Sequence, residues 1–166
     1  MALISWKTEE VPNGMEIKQV YGLIFTKDGR IMLRTEQKKD RIKYSLAGGH
    51  PEPLDNGIEG TCRRELIEEV NTTIHKPIYV GYQLVDEEDG SPLYAQVRMT
   101  ALIDIIGPVK PDSDNGKTYG RFLTSPKRAA ELLNWGEVGF AQILNAAKII
   151  EREFGIVLSN LKEEYV

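Results

Sequence analysis

Between residues 57 and 70 the apolar positions of this chain change period. Ile58, Cys62, Leu66 and Val70 recur every fourth residue, a spacing that gathers side chains on one face of a helix. The runs on either side obey a different rule. Residues 17–26 are rich in β-branched and aromatic types and predict a strand. Asp28-Gly29 follows as a hairpin signal, and Arg30–Thr35 reads as the return strand. Tyr44-Ser45-Leu46 predicts a short strand running into Ala47-Gly48-Gly49. Beyond the helix, residues 74–84 and 93–106 predict two more strands joined by a polar, turn-rich link. Residues 107–117 form a loop with Pro108 and Pro111 as breakers. Phe122-Leu123 reads as a last short strand. Ser125-Pro126 opens a short helix with proline at its first position, and a longer helix runs from about Glu137 to Phe154, stopped by Gly155. No pattern is assigned to the tail from Ile156. Hairpins around a single early helix point to an α/β (α+β) fold with a mixed or antiparallel sheet rather than a regular βαβ repeat. No linker divides residues 1–166, and 166 residues suffice for one domain with its own core.

The same helix carries the chemistry. Glu65, Glu68 and Glu69 are related by i+3 and i+4 steps and share one side of it. Three carboxylates there repel each other, and a divalent cation would reverse that sign. All-oxygen ligands select a hard ion, Mg²⁺ or Mn²⁺, over zinc. The alternative is an acidic helix face turned to water. Asp55 and Asn56 precede the helix as candidate N-caps. Asn71 follows it as a left-handed terminator. Gly48-Gly49 stands just upstream, where the lack of a side chain lets backbone approach a ligand or metal.

Composition narrows the partners. The net charge is −4 and the basic residues are scattered apart from clusters such as Lys38-Lys39-Asp40-Arg41. That is not the basic stripe of a duplex nucleic-acid binder. No apolar run approaches the length of a membrane span, and the first ten residues lack the apolar stretch of a signal peptide. Cys62 is the only cysteine, so no intrachain disulfide forms and a reducing cytoplasm is expected.

Taken together, Gly49, Asp55, Arg64, Glu65, Leu66, Glu68 and Glu69 resemble the Nudix (MutT-like) hydrolase box, G-x5-E-x7-R-E-U-x-E-E-x-G-U, over Gly49 to Thr72. Three positions depart from it. Asp55 stands for the usual glutamate, and positions 56–63 make the next gap one residue longer. Asn71 replaces a glycine, and Thr72 replaces the last apolar residue. The resemblance implies an αβα sandwich with a mixed central sheet. It implies metal-dependent hydrolysis of a phosphoanhydride bond in a nucleoside diphosphate linked to another group, by water attack on phosphorus. Glu65, Glu68 and Glu69 would hold Mg²⁺, joined by the Gly48 carbonyl, and Arg64 would orient the carboxylates. The general base would be a box glutamate or a loop carboxylate. A nucleoside triphosphate is the default substrate, with ADP-ribose, a dinucleoside polyphosphate or a non-catalytic nucleotide-binding module as alternatives. A homodimer is compatible with the family.

Outside the box, Arg34 is a candidate for the substrate phosphates, weighed against a plain surface arginine. Gly49 and His50 are candidate substrate contacts, His50 more simply being structural or exposed. Asp112 and Asp114 sit among turn residues and read first as solvated. Tyr21, Tyr44, Tyr82 and Tyr119 could stack on a base or belong to the core. Trp135 could cover a base pocket or a dimer contact. Cys62 reads as a small buried hydrophobe.

Overall fold

The computed structural model describes residues 1–166. Strands β1 (Leu3–Lys7), β2 (Glu16–Phe25), β3 (Ile31–Gln37), β4 (Ile42–Ser45) and β5 (Gly48–Gly49) precede helix α1 (Ile58–Val70). Then come β6 (Thr72–Ile74), β7 (Ile78–Asp86), β8 (Tyr94–Ile106), β9 (Gly120–Thr124), helices α2 (Pro126–Leu133) and α3 (Gly136–Phe154), and β10 (Glu164–Tyr165). The long path of the sheet is β1-β7-β8-β2-β3-β9-β10, with β4 on β3, β5 on β2 and β6 on β8. Only β2 and β8 run parallel, so of the two arrangements that the hairpin signals left open the sheet is the mixed one.

Alternation along the strands decides what each face meets. On β2, Val20 and Ile24 pack with Cys62, Leu66 and Val70 of α1. Leu23 and Phe25 pack with Ala129 and Leu133 of α2 and Ile143, Ala147 and Ile150 of α3. Neighbouring side chains of a strand point to opposite faces, so the sheet is held between α1 and the α2–α3 pair. This is the αβα sandwich expected from the resemblance. Ser125 caps α2 by accepting from the Arg128 amide at 3.2 Å, and Asn71, Asn134 and Gly155 end the three helices in left-handed geometry.

Several expectations change. Residues 74–84 are two strands, broken at His75–Pro77 because β6 and β7 pair with different stretches of β8. Two edge strands, β1 and β10, carry no local signal, since each is ordered by one distant partner, β7 and β9 respectively. Asp55 and Asn56 do not cap α1. Gly57 stands at that position, and Asp55 ends a short 3₁₀ turn over Pro53–Asp55.

One irregularity creates the cleft. β2 and β3 pair only at Phe25 and Ile31 and then diverge. β5 fills the space against β2, with Gly48 opposite Tyr21, while β4 follows β3, with Ser45 opposite Arg34. The carboxylate side of α1 lies at this opening.

Candidate functional site

Glu65, Glu68 and Glu69 come together with Gly48, Gly49, Arg34 and Arg64. Glu69 is the most enclosed of the three acids, at 6% exposure. Its Oε1 accepts from the Gly48 amide at 2.7 Å, and its Oε2 meets Arg34 Nη1 in an ion pair. Gly48 therefore reaches the cluster through its N–H. Burial pushes the Glu69 carboxyl up to about 7. Arg34 and the Gly48 amide pull it down, while Glu65 and Asp112 push it further up. Glu65 is also raised, first by burial, despite the pull of Arg64.

Gly49 is required by contact rather than by torsion. A Cβ there would lie 2.4 Å from Glu65 Oε1. At Gly48 a Cβ would sit 2.3 Å from the Val20 carbonyl oxygen, where the backbone of β2 passes. Both glycines let β5 slide between β2 and the acids of α1.

Arg64 organises the loop. Its Nε donates to Asp55 Oδ1 at 2.6 Å and its Nη2 to Asp55 Oδ2 at 3.0 Å. Nη1 donates to Glu65 at 2.8 Å and Glu68 at 3.1 Å, and Nη2 also donates to the His50 carbonyl at 2.9 Å. Asp55 accepts further bonds from the Glu52 amide and the Thr61 hydroxyl, both at 2.8 Å. The Arg64 guanidinium holds the Asp55 carboxyl far below the usual carboxylate range, and Asp55 in turn raises Arg64. The departures from the box thus have a local account. Asn56 at φ 56° and Gly57 at φ 114° absorb the extra residue in left-handed backbone, so the shorter Asp55 still reaches Arg64. Thr72 in the last apolar slot is fully buried and donates to the Val70 carbonyl at 3.0 Å.

Arg34 is not a free surface arginine. Besides Glu69 it donates from Nε to Ser45 Oγ at 3.0 Å and lies 4.3 Å over the ring of Tyr119. His50 is exposed, with its Nδ1 2.9 Å from the Lys18 carbonyl. Its link to the cluster is its own carbonyl on Arg64. Asp112 overturns the expectation of a solvated turn. It is 5% exposed and close enough to Glu65 and Glu69 to raise both, because its loop is closed by hydrogen bonds to the Lys117 carbonyl and from the Gly116 amide. Asp114 stays exposed.

The acids suit a hard cation in type and neighbourhood: three carboxylates, two of them with proton affinity raised by burial and mutual repulsion. Their rotamers are set by the arginines, and no three of them converge on one point. Coordination of one ion by all three requires Glu69 to turn from Arg34 toward the other two, which Arg64 holds side by side.

Beside Arg34 the cleft widens into a pocket of about 440 Å³, reaching Tyr21, Tyr44, Gln83, Gln96, Arg98 and Trp135. Trp135 and two of the four candidate tyrosines line it, whereas Tyr82 belongs to the core and Tyr119 lies under Arg34. Arg98, Gln83, Gln96 and Gln142 were not among the residues expected at a site. The available signal was a charged residue inside the otherwise apolar run of residues 93–106.

No family model and no curated protein matches the chain. Solved structures do. A Bacillus subtilis pyrophosphohydrolase, BsRppH, superposes with a TM-score of 0.65 at 19% identity, over 91% of this chain and 92% of that one. A Nudix hydrolase from Nitrosomonas europaea gives 0.60 at 18% identity, over 78% and 87%. The Escherichia coli ORF135 protein gives 0.53 at 19% identity, over 87% and 96%. A three-layer sandwich with a mixed sheet and an acidic helix at its cleft is the class of protein described here. Its fold is the Nudix hydrolase fold.

Proposed function

We propose that this protein is a divalent-metal-dependent hydrolase of a phosphoanhydride bond in a nucleotide, with a nucleoside triphosphate as the default substrate. The observation that carries the reading is the packing of Glu65, Glu68 and Glu69 against Gly48-Gly49 with Arg34 alongside. Likeness to a fold shared with a pyrophosphohydrolase supports it, although fold alone does not fix function. Glu65, Glu68 and Glu69 would hold Mg²⁺ or Mn²⁺, which activates water and neutralises charge on phosphate oxygens. Arg34, once freed from Glu69, offers its guanidinium to a phosphate. Arg64 keeps Glu65 and Glu68 in place. A box glutamate or the enclosed Asp112 would take the proton of the attacking water. The adjoining pocket, with Tyr21, Tyr44 and Trp135, suits the planar end of a nucleotide. The free buried thiol of Cys62 suits the cytoplasm expected for the chain, and no helix is long and apolar enough to cross a membrane.

A panel of nucleoside triphosphates, ADP-ribose and dinucleoside polyphosphates tests this, with Mg²⁺ or with chelator. Phosphate or pyrophosphate release that needs the metal, and falls by orders of magnitude in Glu68→Gln with the fold intact, is the expected outcome. Nucleotide binding without turnover on any diphosphate compound would overturn the enzyme reading in favour of a binding module.

A further inference from the structure

Arg98 stands apart from the other arginines of the interior. Arg30 meets Asp28 and Glu164, Arg34 meets Glu69, and Arg64 meets Asp55, Glu65 and Glu68. Arg121 donates to the main-chain oxygens of Val70 and Val166. Arg98 is 2% exposed and has no carboxylate. Its Nε donates to Gln142 Oε1 at 2.7 Å and its Nη1 to the Gln96 carbonyl at 3.3 Å, while Nη2 donates to no protein atom. No enclosed side-chain nitrogen or oxygen lacks a partner, so Nη2 is the edge that faces the cavity Arg98 lines. The rings of Tyr21 and Trp135 lie 4.7 and 5.7 Å from the guanidinium.

A chain of amides fixes this cation. Gln142 Nε2 donates to Gln83 Oε1 at 2.9 Å, Gln83 Nε2 donates to Gln96 Oε1 at 2.8 Å, and Gln96 Nε2 donates to Gln19 Oε1. Gln83, Gln96 and Gln142 each receive on oxygen from the arginine side and pass a proton donor onward, so the aligned dipoles favour the charge on Arg98. The network ties β2, β7, β8 and α3 together. A buried charge normally carries a partner of opposite sign. Here burial instead holds the arginine down to about 10.

The rest of the cavity has the same sign. Its charged lining is Arg34, Lys43 and Arg98, with no acid, in a chain of net charge −4. Glu69 neutralises Arg34, which leaves Arg98 as the enclosed cation without a counter-charge. In the sheet, Arg98, Tyr21 and Gly48 lie abreast on β8, β2 and β5, which puts the Arg98 backbone about 10 Å from Gly48 at the usual strand spacing.

We infer that Arg98 forms the floor of an oxyanion subsite, which takes a phosphate or carboxylate carried by the ring-bearing end of the ligand, apart from the diphosphate at α1. The placement of that diphosphate rests on the hydrolase reading; the anion subsite does not.

Calorimetric titration of the metal-free protein in chelator separates the two. Without a cation the acids of α1 repel phosphate, so adenosine 3′-monophosphate, whose phosphate lies off the 5′ chain, adenosine and inorganic phosphate report on the pocket. The monophosphate is expected to bind at least tenfold more tightly than adenosine, Arg98→Gln to abolish that preference, and Arg98→Lys to keep part of it. Equal affinity for adenosine and its monophosphate in the wild type overturns the subsite, even if Arg98→Gln does not fold. Survival of the preference in a folded Arg98→Gln overturns it too and places the anion on Arg34 or Lys43. Binding of inorganic phosphate as tight as that of the monophosphate would remove the ring from the proposal. A nucleotide panel without turnover leaves these outcomes untouched, so failure of the enzyme reading is seen separately.

Discussion

Glu69 offers a quantitative test of the site that needs no substrate. Its carboxyl moves from 4.5 to about 7 on folding, chiefly through burial. Between those values the native state holds a proton that the unfolded chain has released. Stability therefore falls as pH rises across this window, is fully present below the lower value, and is lost above the upper one. The shift corresponds to about 3 kcal/mol, and water at the cleft mouth reduces the expected effect to about 2 kcal/mol. Replacing Glu69 with glutamine keeps the shape and removes the titration. Urea unfolding in chelator at pH 5 and pH 8, extrapolated to water, should show the wild type losing about 2 kcal/mol more than Glu69→Gln across the interval. The variant should be the more stable of the two at pH 8. Asp55, held low by Arg64, titrates below this window and does not contribute, and Glu65, raised like Glu69, is common to both proteins. Parallel pH profiles, or a wild-type stability that climbs from pH 5 to 8 relative to the variant, would refute the argument that burial outweighs Arg34 at this carboxylate.

Two further variants divide structure from chemistry. Arg64→Ala strips the partner from Asp55, whose side chain is 3% exposed, and should cost about 3 kcal/mol in urea unfolding while lowering turnover; an unchanged midpoint would show that the loop is held without it. Gly49→Ala should leave the thermal midpoint within a few degrees, because the flexible Glu65 carboxylate can move away, yet cut metal-dependent hydrolysis at least tenfold. Gly48→Ala meets the β2 backbone instead and should lower the midpoint itself, so equal behaviour of the two alanine variants would contradict the close approaches described.

The acidic helix was legible in the sequence because its determinants are local. A four-residue apolar period places Cys62, Leu66 and Val70 against the sheet, and the same helical geometry puts Glu65, Glu68 and Glu69 on one side. The antiparallel turn from β2 into β3 was legible from Asp28-Gly29, the start of α2 from Ser125-Pro126 and the end of α3 from Gly155. Other features depend on partners far away in the chain. β1 and β10 exist because β7 and β9 offer them an edge. Asp112 is enclosed because its loop closes beside Glu65 and Glu69, though its neighbours in sequence read as a solvated turn.

The sequence by itself determined which helix bears the three glutamates, since helical phase is a property of a few adjacent residues. The tertiary structure alone decided that Arg34 would lie on Glu69, that Asp55 and an added residue would still reach Arg64, and that Arg98 would be enclosed without a counter-charge. Those outcomes follow from the divergence of β2 from β3 and from α3 closing over β8, and the spacing of residues along the chain carries no information about distances across strands.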